Sequence, residues 1–97
     1  MKIKYLILAI ALVFGSLSAK AVKIPVIVKD STSPFWQIVL DGGCTAGAEL
    51  GIEVPLLGPT SEADIAGQIN VLEDAVAGGA DAVVIAATSF EGLGGPI

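Results

Sequence analysis

The sequence predicts an α/β fold: a βαβαβ portion of a doubly wound parallel sheet, preceded by an export signal. Three observations predict it. Short β-branched apolar runs alternate with longer segments of helical periodicity, and glycine or proline marks each junction. The chain is 54% hydrophobic over 97 residues, but the excess is concentrated at the N-terminus instead of being spread evenly.

That N-terminus comes first. Lys2 and Lys4 precede an uninterrupted apolar run from Tyr5 to Phe14, and small residues follow from Gly15 to Ala21, the layout of a secretory signal peptide. The run is about half of the roughly 20 residues needed to span a bilayer, so a permanent membrane anchor is not expected. Ala19-Lys20-Ala21 places cleavage after Ala21, with the bond after Ala19 as the alternative. Neither bond is followed by cysteine, so no lipid-modified N-terminus is expected. The domain assignment is therefore a signal peptide over 1–21 and an exported α/β segment over 22–97.

Composition narrows the chemistry of that segment. Two lysines, Lys23 and Lys29, stand against ten acidic residues, a net charge of −8 with no arginine. Such a chain cannot neutralise a row of phosphates, so nucleic acid and anionic membranes are not expected partners. With no histidine, neither a Ser-His-Asp nor a Cys-His system can be built from the chain. The single Cys44 makes no internal disulfide, and the acidic residues show neither calcium-loop spacing nor catalytic pairing. No catalysis, metal or cofactor is expected.

Lys23 to Val28 reads as a buried first strand, with Pro25 near its start where a missing N–H is best tolerated. Ser33 as a cap and Pro34 at the first helical position begin a helix that runs to about Leu50 and stops at Gly51. Its inner stripe is expected to be Phe35, Ile38, Val39, Gly42, Ala46 and Leu50. Gly43, Gly47 and Gly51 recur every four residues, which close packing of helix on sheet explains. Cys44 falls on the solvent face with Gln37, Asp41 and Ala48, where an exposed thiol could cross-link two chains.

Glu53 to Leu57 forms the second strand. Ser61 followed by Asp64 approximates a capping box for a second helix, in which Ile65, Ile69, Leu72 and Val76 line one apolar face while Glu62, Gln68, Glu73 and Asp74 look outward. Gly78-Gly79 closes it. Ala82 to Ala86 is the third strand, and Thr88 to Glu91 starts another helix. Right-handed crossovers make this sheet parallel, and ligands in such sheets sit at the C-terminal strand ends where strand order reverses. Two loops are thereby selected: Lys29 to Trp36 after the first strand and Ala87 to Phe90 after the third.

The runs Ile24-Pro-Val-Ile-Val-Lys-Asp-Ser-Thr-Ser-Pro-Phe-Trp-Gln37, Leu57-Gly-Pro-Thr-Ser-Glu-Ala-Asp-Ile-Ala-Gly-Gln-Ile-Asn70 and Asp74-Ala-Val-Ala-Gly-Gly-Ala-Asp-Ala-Val-Val-Ile85 closely resemble the opening third of periplasmic sugar-binding proteins. These are the solute-binding components of ABC transporters, of the ribose-binding type. The resemblance covers residues 23–92 in order and spacing. It implies the first lobe of a two-lobed binder that closes on a sugar-like ligand and delivers it to a membrane permease. By position it makes Thr32 a polar contact, Phe35 and Trp36 aromatics that stack on the sugar, and Ser89 the occupant of a position where members often carry aspartate. An aromatic face suits the apolar C–H face of a sugar.

Each residue keeps an ordinary alternative: Phe35 and Trp36 as core, Thr32, Ser33 and Ser89 as helix caps. Set against the resemblance, the length predicts a truncated product or incomplete gene model that binds sugar weakly or not at all. A core of this size supplies about 3–5 kcal/mol. Two other functions stay open: a small secreted module that pairs through its open sheet edge, and a binder of an anionic, phosphorylated ligand held at the helix starts near Ser33 and Ser89.

Overall fold

The computed structural model describes residues 21–97. The export signal expected over 1–21 therefore lies, but for Ala21, outside the described residues. The elements alternate as expected: β1 (Val26–Ile27), α1 (Pro34–Leu50), β2 (Leu56–Leu57), α2 (Ile65–Ala77), β3 (Val84–Ile85) and a short α3 (Phe90–Gly94). All three strands are parallel, in the order β2-β1-β3, with Val26 opposite Leu56 and Val84. β1 is thus central, and the chain reverses its direction of travel across the sheet between β1 and β3.

The regular strands are shorter than the apolar runs that encode them, but pairing extends beyond them. Ile24, Val26 and Val28 donate their N–H groups to β2-side carbonyls, each at 2.9 Å, while the carbonyls of Lys23, Pro25 and Ile27 accept from Asp81, Val84 and Ala86 at 2.8–3.0 Å. Pro25 contributes through its carbonyl, and its missing N–H falls just before the first regular residue of β1, where it is best tolerated.

Alternation along the strands sends Ile27, Leu57 and Ile85 to one face and Val26, Leu56 and Val84 to the other. The first face carries the core. Ile27, Leu72 and Leu93 are buried together, with Leu57, Ile69, Val71, Ala75, Val83, Ile85 and Ala87 around them. α2 and α3 cover this face; α1 lies on the other, over Val26 and Leu56.

α1 is turned relative to the expected stripe. Phe35 is 64% exposed, Ile38 and Leu50 each 71%, and Val39, Gly42 and Ala46 also face outward. The residues that turn inward are Trp36, Leu40, Gly43 and Gly47. The shift of one residue corresponds to about 100° of helix rotation. Its cause is shape: a Cβ at Gly47 would lie 2.8 Å from Val54 Cγ2, and one at Gly43 would lie 3.2 Å from Val26 Cγ2. Two glycines let the backbone settle on the sheet, and that close approach outweighs burial of the apolar stripe.

The helix ends follow local rules with two departures. Gly51 stops α1 in the left-handed conformation, φ 66°, and Gly78 with Gly79 closes α2. Ser33 is the residue before α1, yet its side chain makes no capping bond. Pro34, with its preset φ, opens the helix instead. In α2 the cap is Asp64, not Ser61: Asp64 Oδ1 accepts from the Gly67 N–H at 2.9 Å, while Ser61 Oγ accepts from Ala63 N–H one turn earlier. The Asp64 carboxylate lies where a Cβ at 67 would stand, so Gly67 leaves room for this cap.

α2 also turns against expectation at one position. Gln68, expected to look outward, is fully buried. It shares the inner face with Leu72 and Ala75, while Val76, expected inside, is 60% exposed. A buried amide is tolerated here because every hydrogen-bonding group of it is used, as described next.

Candidate functional site

Three loops leave the C-terminal ends of the strands side by side: residues 28–33 after β1, 58–64 after β2 and 86–89 after β3. Gln68 ties two of them. Its Nε2 donates to the carbonyls of Val28 at 3.1 Å and Ala86 at 2.8 Å, bridging the ends of β1 and β3. Its Oε1 accepts from the Thr88 N–H at 2.8 Å and the Thr88 hydroxyl at 2.9 Å. Four bonds satisfy the amide completely and hold the two loops at one spacing. The remaining loop, 58–64, is tied to the first through Ser31, whose N–H and hydroxyl both donate to the Pro59 carbonyl, at 2.8 and 3.1 Å.

The first loop turns around Asp30. Its Oδ1 accepts from the Thr32 hydroxyl at 2.6 Å and the Thr32 N–H at 2.8 Å, an Asx turn. These two bonds, the hydroxyl first, hold the Asp30 carboxyl below its ordinary range; slight desolvation opposes them and the Ser33 amide adds a smaller pull downward. Asp30 is therefore a carboxylate throughout the neutral and mildly acidic range.

Of the residues expected to meet a ligand, Thr32 is exposed on this loop with its hydroxyl hydrogen directed to Asp30. Phe35 and Trp36 sit on the first turn of α1 as an edge-to-face pair, ring centroids 4.9 Å apart and planes at 87°. Trp36 is half-buried and its indole N–H donates to Glu62 Oε1 at 2.8 Å, across 26 residues. Phe35 projects beyond it into solvent, so it is not core. Ser89 is half-buried and caps α3, its hydroxyl oxygen accepting from the Gly92 N–H at 2.9 Å. Phe35 and Trp36 are brought into contact; Thr32 and Ser89 sit on separate loops, linked through the Gln68 bridge between β1 and β3.

Three residues of this region were not singled out from the sequence as site residues: Asp30, Glu62 and Gln68. Asp30 carried a readable signal, because an aspartate two residues before a threonine in a turn stretch is the pattern of an Asx turn. Gln68 carried a weaker one, a lone amide among Ile65, Ile69 and Leu72. Nothing in the sequence pairs Glu62 with Trp36.

A groove of about 330 Å³ lies towards the opposite end of the sheet between Lys23, Pro25, Pro55, Leu57, Val71 and Asp74. It is remote from all of these loops. Among the described residues no three His, Cys, Asp or Glu side chains group closely enough for a metal ion, and no helix is long and apolar enough to cross a membrane.

Comparison with known proteins agrees with this geometry. A family model described as a periplasmic binding protein domain matches residues 24–97. A carbohydrate transporter solute-binding protein from Agrobacterium radiobacter, solved in complex with D-arabinose, is 54% identical; the match covers 81% of this chain and 27% of that one, with a TM-score of 0.78. An ABC transporter solute-binding protein from Agrobacterium vitis, bound with α-D-tagatopyranose, is 27% identical over 77% of this chain and 25% of that one, TM-score 0.71. The periplasmic component of a sugar transport system from Hahella chejuensis is 27% identical over 75% and 27%, TM-score 0.69. The chain thus spans about a quarter of the length of the solved structures it matches.

Proposed function

The chain belongs to the periplasmic binding protein domain family, and on that premise we propose that residues 22–97 supply one wall of the ligand crevice of a sugar-binding component of an ABC transporter. The carrying observation is the aromatic pair at the C-terminal strand ends: Trp36 is held by Glu62, and Phe35 is left 64% exposed beside it. A large aromatic kept open to solvent, in a loop region tied together by hydrogen bonds, suits stacking on the apolar face of a sugar. Thr32, Phe35, Trp36 and Ser89 face the ligand in this reading. The family is made up of solute-binding proteins, and binding without catalysis fits the absence of histidine.

The ligand class is a neutral monosaccharide, supported by the D-arabinose complex of the 54% identical relative. The partner is a membrane permease that receives the sugar, the compartment is the periplasm, and residues 1–21 act as the export signal. Residues 22–97 by themselves enclose a ligand on one side and leave much of its surface in water, so the affinity of this segment alone is expected in the millimolar range. Titration of the full chain with D-arabinose, followed by amide and indole resonances, tests this. Saturable shifts are expected at Thr32, Phe35, Trp36 and Ser89. An unchanged spectrum, or shifts confined to the groove around Lys23 and Asp74, would overturn the proposal.

A further inference from the structure

Backbone pairing between β1 and β3 ends before the loops at their C-terminal ends begin. Among the described residues its last rung runs from the Ala86 N–H to the Ile27 carbonyl at 3.0 Å. Beyond that point the carbonyls of Val28 and Ala86 accept from Gln68 Nε2 and not from backbone. The amide thus stands in for the missing rung, and it does so from α2, a helix that lies outside the sheet. Its Oε1 takes both donors of Thr88, so one planar group fixes the start of the loop that carries Thr32 and the residue beside Ser89. A leucine at 68 would fill similar space without fixing either loop, so packing alone does not account for a fully buried amide here.

We infer that Gln68 is a positioning residue for ligand binding: it touches no ligand, but its amide holds the β1 and β3 loops at the separation from which Thr32 and Ser89 reach one molecule together. The inference rests on the sugar-binding reading above and deepens it by naming the group outside the crevice on which affinity depends. Loops tethered beforehand lose less freedom when a ligand bridges them, so the tether adds affinity without making a contact. The linkage is reciprocal: a ligand that bridges the loops must strengthen the tether.

Titration of the full chain with D-arabinose compares wild type, Gln68→Leu and Leu72→Ala. Leu72 is buried one turn further along α2, and its apolar side chain makes no hydrogen bond to either loop, so truncating it lowers stability without releasing them. Affinity is expected to weaken about tenfold or more in Gln68→Leu and to stay within about twofold of wild type in Leu72→Ala, each read from the amide resonances of the folded chain. Equal affinity in wild type and Gln68→Leu, or the same loss in both variants, overturns the positioning role and leaves the sugar-binding reading standing; no saturable shift in the wild type overturns both. Where a variant does not fold, the wild type decides. Exchange of the Gln68 side-chain amide protons with solvent is expected to slow severalfold as D-arabinose saturates the shift of the Trp36 indole. Unchanged or faster exchange beside a shifting indole overturns the inference.

Discussion

Gln68 is the residue on which the candidate site depends most. It is fully buried, yet its amide makes four hydrogen bonds, to Val28, Ala86 and twice to Thr88. Gln68→Leu is close in size but leaves two carbonyls and the Thr88 N–H without their partner. Each buried group left unpaired costs about 1–3 kcal/mol, so the variant should lose about 3 kcal/mol or more of stability in urea unfolding. A loss below about 1 kcal/mol would mean that water reaches these groups. At Asp30 the sign of the pH dependence follows from the direction of its shift. A carboxyl held below its ordinary range stabilises the fold above its unfolded pKa, and that contribution disappears as pH falls through the lower folded value. Thr32→Val removes the larger of the two bonds responsible, so the Asp30 carboxyl should titrate closer to its ordinary value, as read from its carboxyl carbon resonance against pH.

At the scale of the element, α1 shows how glycine placement sets a helix's rotation. Gly42 and Gly47 are on the same helix, but a Cβ at 42 meets nothing within 4 Å, whereas one at 47 would lie 2.8 Å from Val54 Cγ2 and 3.2 Å from the Ile52 carbonyl oxygen. Gly42→Ala should therefore stabilise the protein by about 0.5–1 kcal/mol through helix propensity alone. Gly47→Ala carries the same propensity gain but must push β2's leading segment away, and overpacking of that kind costs about 1–3 kcal/mol. A lower midpoint is expected for Gly47→Ala and a higher one for Gly42→Ala in the same denaturation assay. Equal shifts would show that the α1–sheet contact yields freely.

At the scale of the whole molecule, the two sheet faces are unequal. The face under α2 and α3 buries Ile27, Leu72 and Leu93, while the α1 side leaves Phe35, Ile38, Leu50 and Val84 more than half exposed. Ile27→Ala should cost about 2–5 kcal/mol, and Ile38→Ser should stay within about 0.5 kcal/mol of wild type. Thermal melts of the two variants check this; comparable losses would place Ile38 inside a packed interface in solution.

The amino-acid sequence by itself determined the class, the order of the elements and most of their ends. β-branched runs, Pro34, Gly51 and Gly78-Gly79 act through the backbone of their own neighbourhood, so their effect is legible without knowing the rest of the chain. The loops after β1 and β3 could be placed at the C-terminal strand ends because the alternation of strand and helix already implies parallel strands, whereas the order β2-β1-β3 belongs to the fold. Only the tertiary structure decided which face of each helix turns inward. The stripe of Phe35, Ile38 and Leu50 had the stronger apolar signal, but Gly43 and Gly47 against Val26 and Val54 gave the closer fit, and Gln68 could enter the core once Val28, Ala86 and Thr88 stood around it. Hydrophobic periodicity measures transfer from water, which has no direction; steric fit and hydrogen bonds depend on particular partners, 20 to 40 residues away in the case of Gln68, and those partners are assembled only by the fold.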